Sequence, residues 1–181
     1  MALVSIKSKG IVIKRINFGE ADKLVTIYSQ DFGKVCFVAK GVRKMNSKKK
    51  GSLEMFTHIS FSAYRNKGIG ALSEVETINC FPLIRDNLKK IATACEISEM
   101  VDKITGEEIE QEEIYYLLSS SLIELEKSEN SEKIIQDFGI KLLKYLGYLE
   151  RNKTFENINS TNLIEEIIER EIKSKKFLSK I

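Results

Sequence analysis

A cluster of basic residues in the stretch AKGVRKMNSKKKG, residues 39–51, offers the clearest chemistry in the sequence. Six cations fall between positions 40 and 50 with no acid among them: Lys40, Arg43, Lys44, Lys48, Lys49 and Lys50. Lys and Arg at this density neutralise phosphates and release counterions, which is the chemistry of polyanion binding. The alternative is a solvated, flexible loop that binds nothing. We favour a polyanionic ligand, because so many like charges repel one another without a partner.

Further basic residues and aromatic rings lie on the segments around this loop. The additional basic candidates are Lys14, Arg15, Lys23, Lys34, Arg65 and Lys67. A surface for nucleic acid combines cations for phosphates with flat rings on which unpaired bases stack. Tyr28 and Tyr64 are the aromatic candidates, because a phenol tolerates a wet surface. Phe18 is also interleaved with the cations, whereas Phe37 and Phe61 are expected in the core.

Charge is distributed unevenly along the 181 residues, although the net charge is only +3. Residues 1–80 carry fourteen Lys and Arg against six Asp and Glu, a balance of +8. The remaining residues carry fifteen against twenty, a balance of −5. This asymmetry predicts two modules, of which the first has a polyanionic partner.

Alternating apolar and polar residues in the first module predict a small β-barrel. Five strands are expected, at 10–18, 23–29, 34–41, 56–65 and 69–79, joined by glycine-bearing turns. Ile59, Phe61 and Ala63 should face inward, since side chains alternate along a strand. Gly10 is placed to bend the first strand, so that one strand serves both sides of a barrel.

The periodicity changes after Pro82, where apolar residues recur three and four positions apart. Pro82 is suited to a helix start, because its missing N–H costs nothing there. One helix should run through Leu88, and Thr105-x-x-Glu108 is a plausible capping box for a second helix. A third should end at Gly147, and a fourth follows a polar loop at 150–162. Four amphipathic helices can bury one another's apolar faces. We therefore predict an α+β chain with a barrel at 1–80 and a helical domain at 81–181.

Signals for catalysis, metal binding and membrane insertion are absent from the sequence. The single histidine, His58, lies within a strand, and no nucleophile, nucleotide or zinc-protease motif occurs. The three cysteines are widely spaced and form no C-x-x-C pair. No apolar run is long enough to span a bilayer, and the N-terminus lacks the pattern of a signal peptide. We expect a cytosolic protein that is not an enzyme and that uses no cofactor and no metal.

The first module resembles the RecO family of bacterial recombination mediators. The resemblance rests on the G-I-V-x-K-R strand from Gly10, the G-E-A-D-K-L-V turn at 19–25, and G-K-V-x-F-V-A-K-G-V-R-K at 33–44. LEMFTHISFSAYRNKGIGALSEVE at 53–76 is similar to the two strands that follow in this family. Looser similarity continues through 83–102, KLLKYLGYL at 141–149 and IKSKKFL at 172–178.

This resemblance implies an N-terminal OB-fold barrel, a helical domain, and a role in recombinational DNA repair. It implies binding to single- and double-stranded DNA, strand annealing, and partners that include the single-strand-binding protein, RecR and, indirectly, RecA. It also implies a bacterial cytoplasmic protein that acts at the nucleoid. The family's four-cysteine zinc module is missing, since ERNKTFENINSTN contains no cysteine.

Within this interpretation, Lys40, Arg43 and Lys44 are the best candidates for DNA contacts, and residues 48–50 would form a mobile cationic arm. Two alternatives from other classes stay open: an RNA-binding OB-fold protein, and an interaction adaptor whose loop contacts an acidic protein. An enzyme without a recognisable motif is the least favoured alternative.

Overall fold

Five β-strands form a closed barrel in the N-terminal part of the chain. The computed structural model describes residues 4–47, 49, 51–65, 68–155 and 158–175. The strands are β1 (Val4–Phe18), β2 (Asp22–Ser29), β3 (Gly33–Ala39), β4 (His58–Arg65) and β5 (Gly70–Asn79). Their order around the barrel is β1-β2-β3-β5-β4, with β3 parallel to β5 and the other pairs antiparallel. The predicted OB-fold barrel is confirmed.

The first strand is shared between both sides of the barrel, as its glycine predicted. Gly10 pairs with Ser29 of β2 and also with Ile59 of β4. A Cβ at Gly10 would lie 2.4 Å from the Ile27 side chain and 2.9 Å from the carbonyl oxygen of Tyr28. Only glycine fits where the strand crosses so closely to its neighbour.

The barrel core is apolar and follows the predicted alternation. On β4, Ile59, Phe61 and Ala63 are buried, while Ser60 and Ser62 are half-exposed. The core also takes in Val42 and Leu53, which belong to the connection between β3 and β4. That connection is therefore part of the barrel's packing.

Five helices occur among the described residues, one more than the sequence predicts. They are α1 (Pro82–Arg85), α2 (Leu88–Ile104), α3 (Glu112–Lys127), α4 (Ser131–Tyr145) and α5 (Ser160–Ile168). The expected single first helix is wrong, because the Asn87 side chain accepts the backbone N–H groups of Lys89 and Lys90 and so caps a new helix. The predicted helix start at Pro82 is confirmed.

The predicted capping box at Thr105 and Glu108 is wrong. Helix α3 begins only at Glu112, and Glu108 has a φ of 55°, outside the helical region. The apolar stripe of α3 follows the predicted spacing of three and four positions, and its members Ile114, Leu118, Leu122 and Leu125 are all fully buried. The end of α4 before Gly147 is also as predicted.

The chain forms two compact units. The barrel unit comprises Met1–Cys80 and Gly106–Tyr115, and the helical unit comprises Phe81–Thr105 and Tyr116–Ile181. The sequence divides the chain into a barrel at 1–80 and a helical domain at 81–181. This division stays a prediction, because residues 106–115 group with the barrel. Inside the helical unit, the buried Glu96 of α2 accepts a hydrogen bond from Thr161 of α5 at 3.0 Å. None of the described helices has the length and apolar character needed to cross a bilayer.

Candidate nucleic-acid interface

The beginning of the basic loop is fixed against the turn between β1 and β2. The backbone N–H of Arg43 donates to the carbonyl of Ala21 at 2.9 Å, and its guanidinium donates to the carbonyl of Gly19 at 3.2 Å. The N–H of Gly41 donates to the Asp22 carboxylate at 2.7 Å. Lys40, Arg43 and Lys44 are exposed on this anchored backbone.

The far end of the same connection is also held by the barrel. The N–H of Phe56 donates to the carbonyl of Val12 at 2.7 Å, and the N–H of Val12 donates to Thr57 at 3.0 Å. Val42 and Leu53 insert into the core between these anchors. Because both ends and two interior side chains are fixed, the exposed cations have a defined backbone position, unlike those of a free linker.

Two apolar side chains stand exposed beside these cations, at the end of β1. Ile16 is 52% exposed and Phe18 is 47% exposed. Phe18 pairs in register with Asp22, the residue that binds the loop backbone. We call the exposed group formed by Ile16, Phe18, Lys40, Arg43 and Lys44 the cationic face. Phe18 could have been selected from the sequence, since it precedes a glycine turn at a strand end, where a large ring has little room to bury itself.

Two predicted site residues, Tyr28 and Lys34, are buried, and their assignment to a DNA surface is wrong. Tyr28 is 0% exposed, and burial together with the nearby Glu113 raises the pKa of its phenol. Its hydroxyl has no hydrogen-bond partner among the described residues. Lys34 is 8% exposed, and its carbonyl accepts the N–H of Glu108 at 2.9 Å. Neither side chain is accessible to a base or a phosphate.

Two other predicted cations are neutralised by acids within the barrel unit. Arg15 forms an ion pair with Glu54, and Arg65 forms an ion pair with Glu108. The Arg65 guanidinium carbon also lies 5.9 Å from the centre of the Phe37 ring. A phosphate would have to compete with these carboxylates, so both residues are weaker candidates than the exposed cations.

The sequence predicts a mobile cationic arm at 48–50. In the structure, the middle residue of that arm, Lys49, is bound to the barrel. The Lys49 ammonium group donates to the carbonyls of Leu72 at 3.3 Å and Ser73 at 2.5 Å, which attaches it to β5. Lys48, Lys50 and Lys67 lie outside the described residues. Lys49 therefore does not extend freely into solvent.

The remaining predicted residues lie on the strands with mixed exposure. Lys14 is exposed on β1 and Lys23 is half-buried on β2, and each has an interaction within the chain. Tyr64 of β4 is 36% exposed and pairs in register with Ser5 and Ala71. Of the three, Lys23 adjoins the cationic face, since it pairs in register with Asn17 of β1 and with Ala39 of β3.

His58, the single histidine, has a polar partner within the barrel unit. Its Nε2 lies 2.8 Å from the hydroxyl of Tyr115, and the two rings meet edge to face. Burial, and secondarily the charge of Lys9, lowers the pKa of the His58 ring. Among the described residues, no group of three or more His, Cys, Asp or Glu side chains is arranged to hold a metal ion.

Comparison with known proteins gives two family matches along the chain. Residues 1–81 match the model described as Recombination protein O N terminal, and residues 85–149 match Recombination protein O C terminal. The chain belongs to the RecO family. The N-terminal match takes in every residue of the cationic face of this RecO-family chain.

Similar proteins are named DNA repair protein RecO. That of Pelotomaculum thermopropionicum is 31% identical over 142 residues, which are 78% of this chain and 55% of the relative. That of Symbiobacterium thermophilum is 34% identical over 149 residues, which are 82% of this chain and 58% of the relative. This RecO-family chain therefore spans somewhat more than half the length of the curated relatives that it matches.

Proposed function

We propose that this chain binds DNA through the cationic face and acts in recombinational DNA repair. The observation that carries the proposal is the convergence of Lys40, Arg43 and Lys44 on a backbone anchored beside the exposed Phe18 ring. OB-fold barrels use the face of strands 2 and 3 and the adjoining loops, including the one between strands 1 and 2, for oligonucleotides. The names of the relatives support a role in DNA repair.

Binding would depend on phosphates and stacking, with little dependence on sequence. The three cations neutralise phosphates, which carry no base information, and release counterions on contact. Phe18 provides a flat apolar surface on which an unpaired base stacks. Ile16 extends that surface along β1. Single strands would use both contacts, whereas a duplex would use mainly the cations.

Strand annealing follows from the same contacts. Two complementary strands repel each other through their phosphates, and a surface that neutralises phosphates lowers that repulsion. No bond is made or broken in this process, which is why we propose a mediator without catalytic activity. We extend the proposal to the partners that the family resemblance implies: RecR, the single-strand-binding protein and, through them, RecA loading at the bacterial chromosome.

The test is fluorescence anisotropy of a labelled single-stranded DNA oligomer, titrated with the full chain at several salt concentrations. We expect the combined Lys40→Glu, Arg43→Glu and Lys44→Glu variant to bind weakly. Loss of three phosphate contacts should reduce the slope of log affinity against log salt by about 2. Phe18→Ala should weaken single-strand binding about tenfold and duplex binding much less, because only unpaired bases stack.

A matched control carries the same charge change on the helical unit: Lys127→Glu, Lys133→Glu and Lys141→Glu, all at exposed positions. This control should retain most of the affinity. A folded cationic-face variant with wild-type affinity and salt slope would contradict the proposal. Equal or tighter binding to an RNA of the same sequence would favour an RNA-binding barrel protein instead.

A further inference from the structure

The barrel unit contains a cavity whose chemistry is opposite to that of the cationic face. Its volume is about 380 Å³. Ile6 and three aromatic or branched side chains of the β2–β3 region, Phe32, Val35 and Phe37, form an apolar floor. Asp31, Glu108 and Glu110 supply carboxylates, and Arg65 completes the lining. We call this cavity the acidic pocket.

The backbone of the barrel unit holds the acidic residues in place. The N–H of Glu108 donates to the Lys34 carbonyl at 2.9 Å, and Glu107 forms a parallel bridge with Lys34. Gly33 allows this close approach, because a Cβ there would lie 1.9 Å from the carbonyl oxygen of Ile109. Glu108 and Glu110 therefore project from a segment that is fitted against the start of β3.

Charge in the acidic pocket is only partly balanced. Arg65 pairs with Glu108 and lies over the Phe37 ring at 5.9 Å. Asp31 accepts a hydrogen bond from the Ser8 hydroxyl at 2.5 Å. This donor is neutral, so it orients the carboxylate without supplying a positive charge. Among the residues described, neither Asp31 nor Glu110 has a cationic partner. Two carboxylate charges thus remain beside an apolar floor.

We propose that the acidic pocket docks a segment of a partner protein in which one apolar side chain lies next to a Lys or Arg. The apolar side chain would contact Ile6 and Phe32, which are only partly buried, and the cation would pair with Glu110 and Asp31. The volume of the acidic pocket, about 380 Å³, lies near the lower end of the range for ligand sites. It therefore accommodates one anchoring side chain. The same carboxylates repel phosphates, which excludes nucleic acid as the occupant. The proposal does not depend on DNA binding by the cationic face.

The experiment uses the full chain and a panel of fluorescein-labelled hexapeptides, each with a central Leu, Ile or Phe flanked by Lys or Arg. A second panel has Glu in place of every cation. We expect members of the basic panel to bind by anisotropy with dissociation constants below about 1 mM, and the acidic panel not to bind. Amide chemical-shift changes on binding should include Phe32 and Glu110.

Variants separate the pocket from general electrostatic attraction. Glu110→Arg should weaken peptide binding about tenfold or more, as expected for loss of a charge-assisted contact. Glu76→Arg, an equal charge change at an exposed position of β5, should not weaken it comparably. Glu110→Gln, which removes the charge with little change of shape, serves if the reversal variant unfolds.

Three results would overturn the proposal: no binding by any basic peptide, equal binding by the acidic panel, or equal weakening by Glu110→Arg and Glu76→Arg. The DNA titration described above is independent of each of them. Failure of the pocket and failure of the DNA surface are therefore distinguishable.

Discussion

Cations that look equivalent in the sequence have different environments in the structure. Lys40 and Lys44 are exposed, whereas the Lys49 ammonium group is bound to carbonyls of β5. Arg15 and Arg65 are both paired with carboxylates. The value of each cation for phosphate binding depends on the partner that it already has, because a phosphate must replace that partner.

His58 should make the stability of the protein depend on pH. Its lowered pKa means that the unfolded chain, with a pKa of about 6.5, binds a proton that the folded chain resists. Stability present above about pH 6.5 should therefore be lost as the pH falls toward the lowered folded pKa. We expect the melting temperature to fall between about pH 7.5 and 5.5, and to fall less in His58→Gln.

Tyr115→Phe is the matched control for this prediction. It removes the 2.8 Å contact with His58 but leaves the titrating ring. It should lower the melting temperature at both pH values while retaining the pH dependence. If the melting temperatures of the wild type and His58→Gln fell by the same amount across this pH range, His58 would not contribute to the pH dependence of stability.

At the scale of elements, residues 106–115 belong with the barrel although helices precede and follow them in sequence. The T-x-x-E pattern at Thr105 is a valid local signal for a helix start. Here Glu108 instead pairs with Arg65 and bonds to the edge of β3. A tertiary contact has prevailed over a weak local preference, because the edge of β3 offers unpaired backbone groups at this position.

Gly33→Ala should disrupt this arrangement. Gly33 has a φ of 63°, and a new Cβ would clash with the Ile109 carbonyl at 1.9 Å. We expect a loss of about 2–4 kcal/mol in the free energy of unfolding, measured with urea. Amide exchange at Glu108 should accelerate, since its hydrogen bond to Lys34 depends on the same approach.

Gly19→Ala provides the comparison for Gly33→Ala. Gly19 also has a positive φ, at 57°, but a Cβ there meets nothing within 4 Å. This variant should lose only about 1 kcal/mol, the cost of the backbone conformation alone. Equal losses of unfolding free energy in the two variants would mean that the segment 106–115 does not pack against Gly33.

At the scale of the whole molecule, surfaces of opposite charge lie on one barrel. Lys40 follows the last residue of β3, while Val35 of the acidic pocket lies near its first residue. Five residues of extended strand separate them by roughly 16 Å, more than the screening length of about 8 Å at physiological salt. The excess of basic residues in 1–80 is therefore not the charge of the whole barrel unit, because residues 106–115 add the carboxylates of Glu108 and Glu110.

This separation predicts simultaneous binding. Saturating single-stranded DNA should leave the dissociation constant of a basic peptide at the acidic pocket within about twofold of its value without DNA, at physiological salt. The measurement is peptide anisotropy with unlabelled DNA present, with free peptide and DNA as the control for direct association. Displacement of the peptide by DNA would place both ligands on one surface.

The strands, most of the helices and the family could be predicted from the sequence; the helix break at Asn87 and the start of α3 could not. Strand alternation and helical stripes are local patterns. Which face of a strand or helix a side chain lies on depends only on its spacing from its close neighbours in sequence. Which charged residues are available for binding depends on contacts between distant parts of the chain. Arg65 and Glu108 are 43 positions apart, and no local pattern relates them. Their pairing, the burial of Tyr28 and the attachment of Lys49 depend on barrel closure, which brings distant backbone segments within hydrogen-bonding distance.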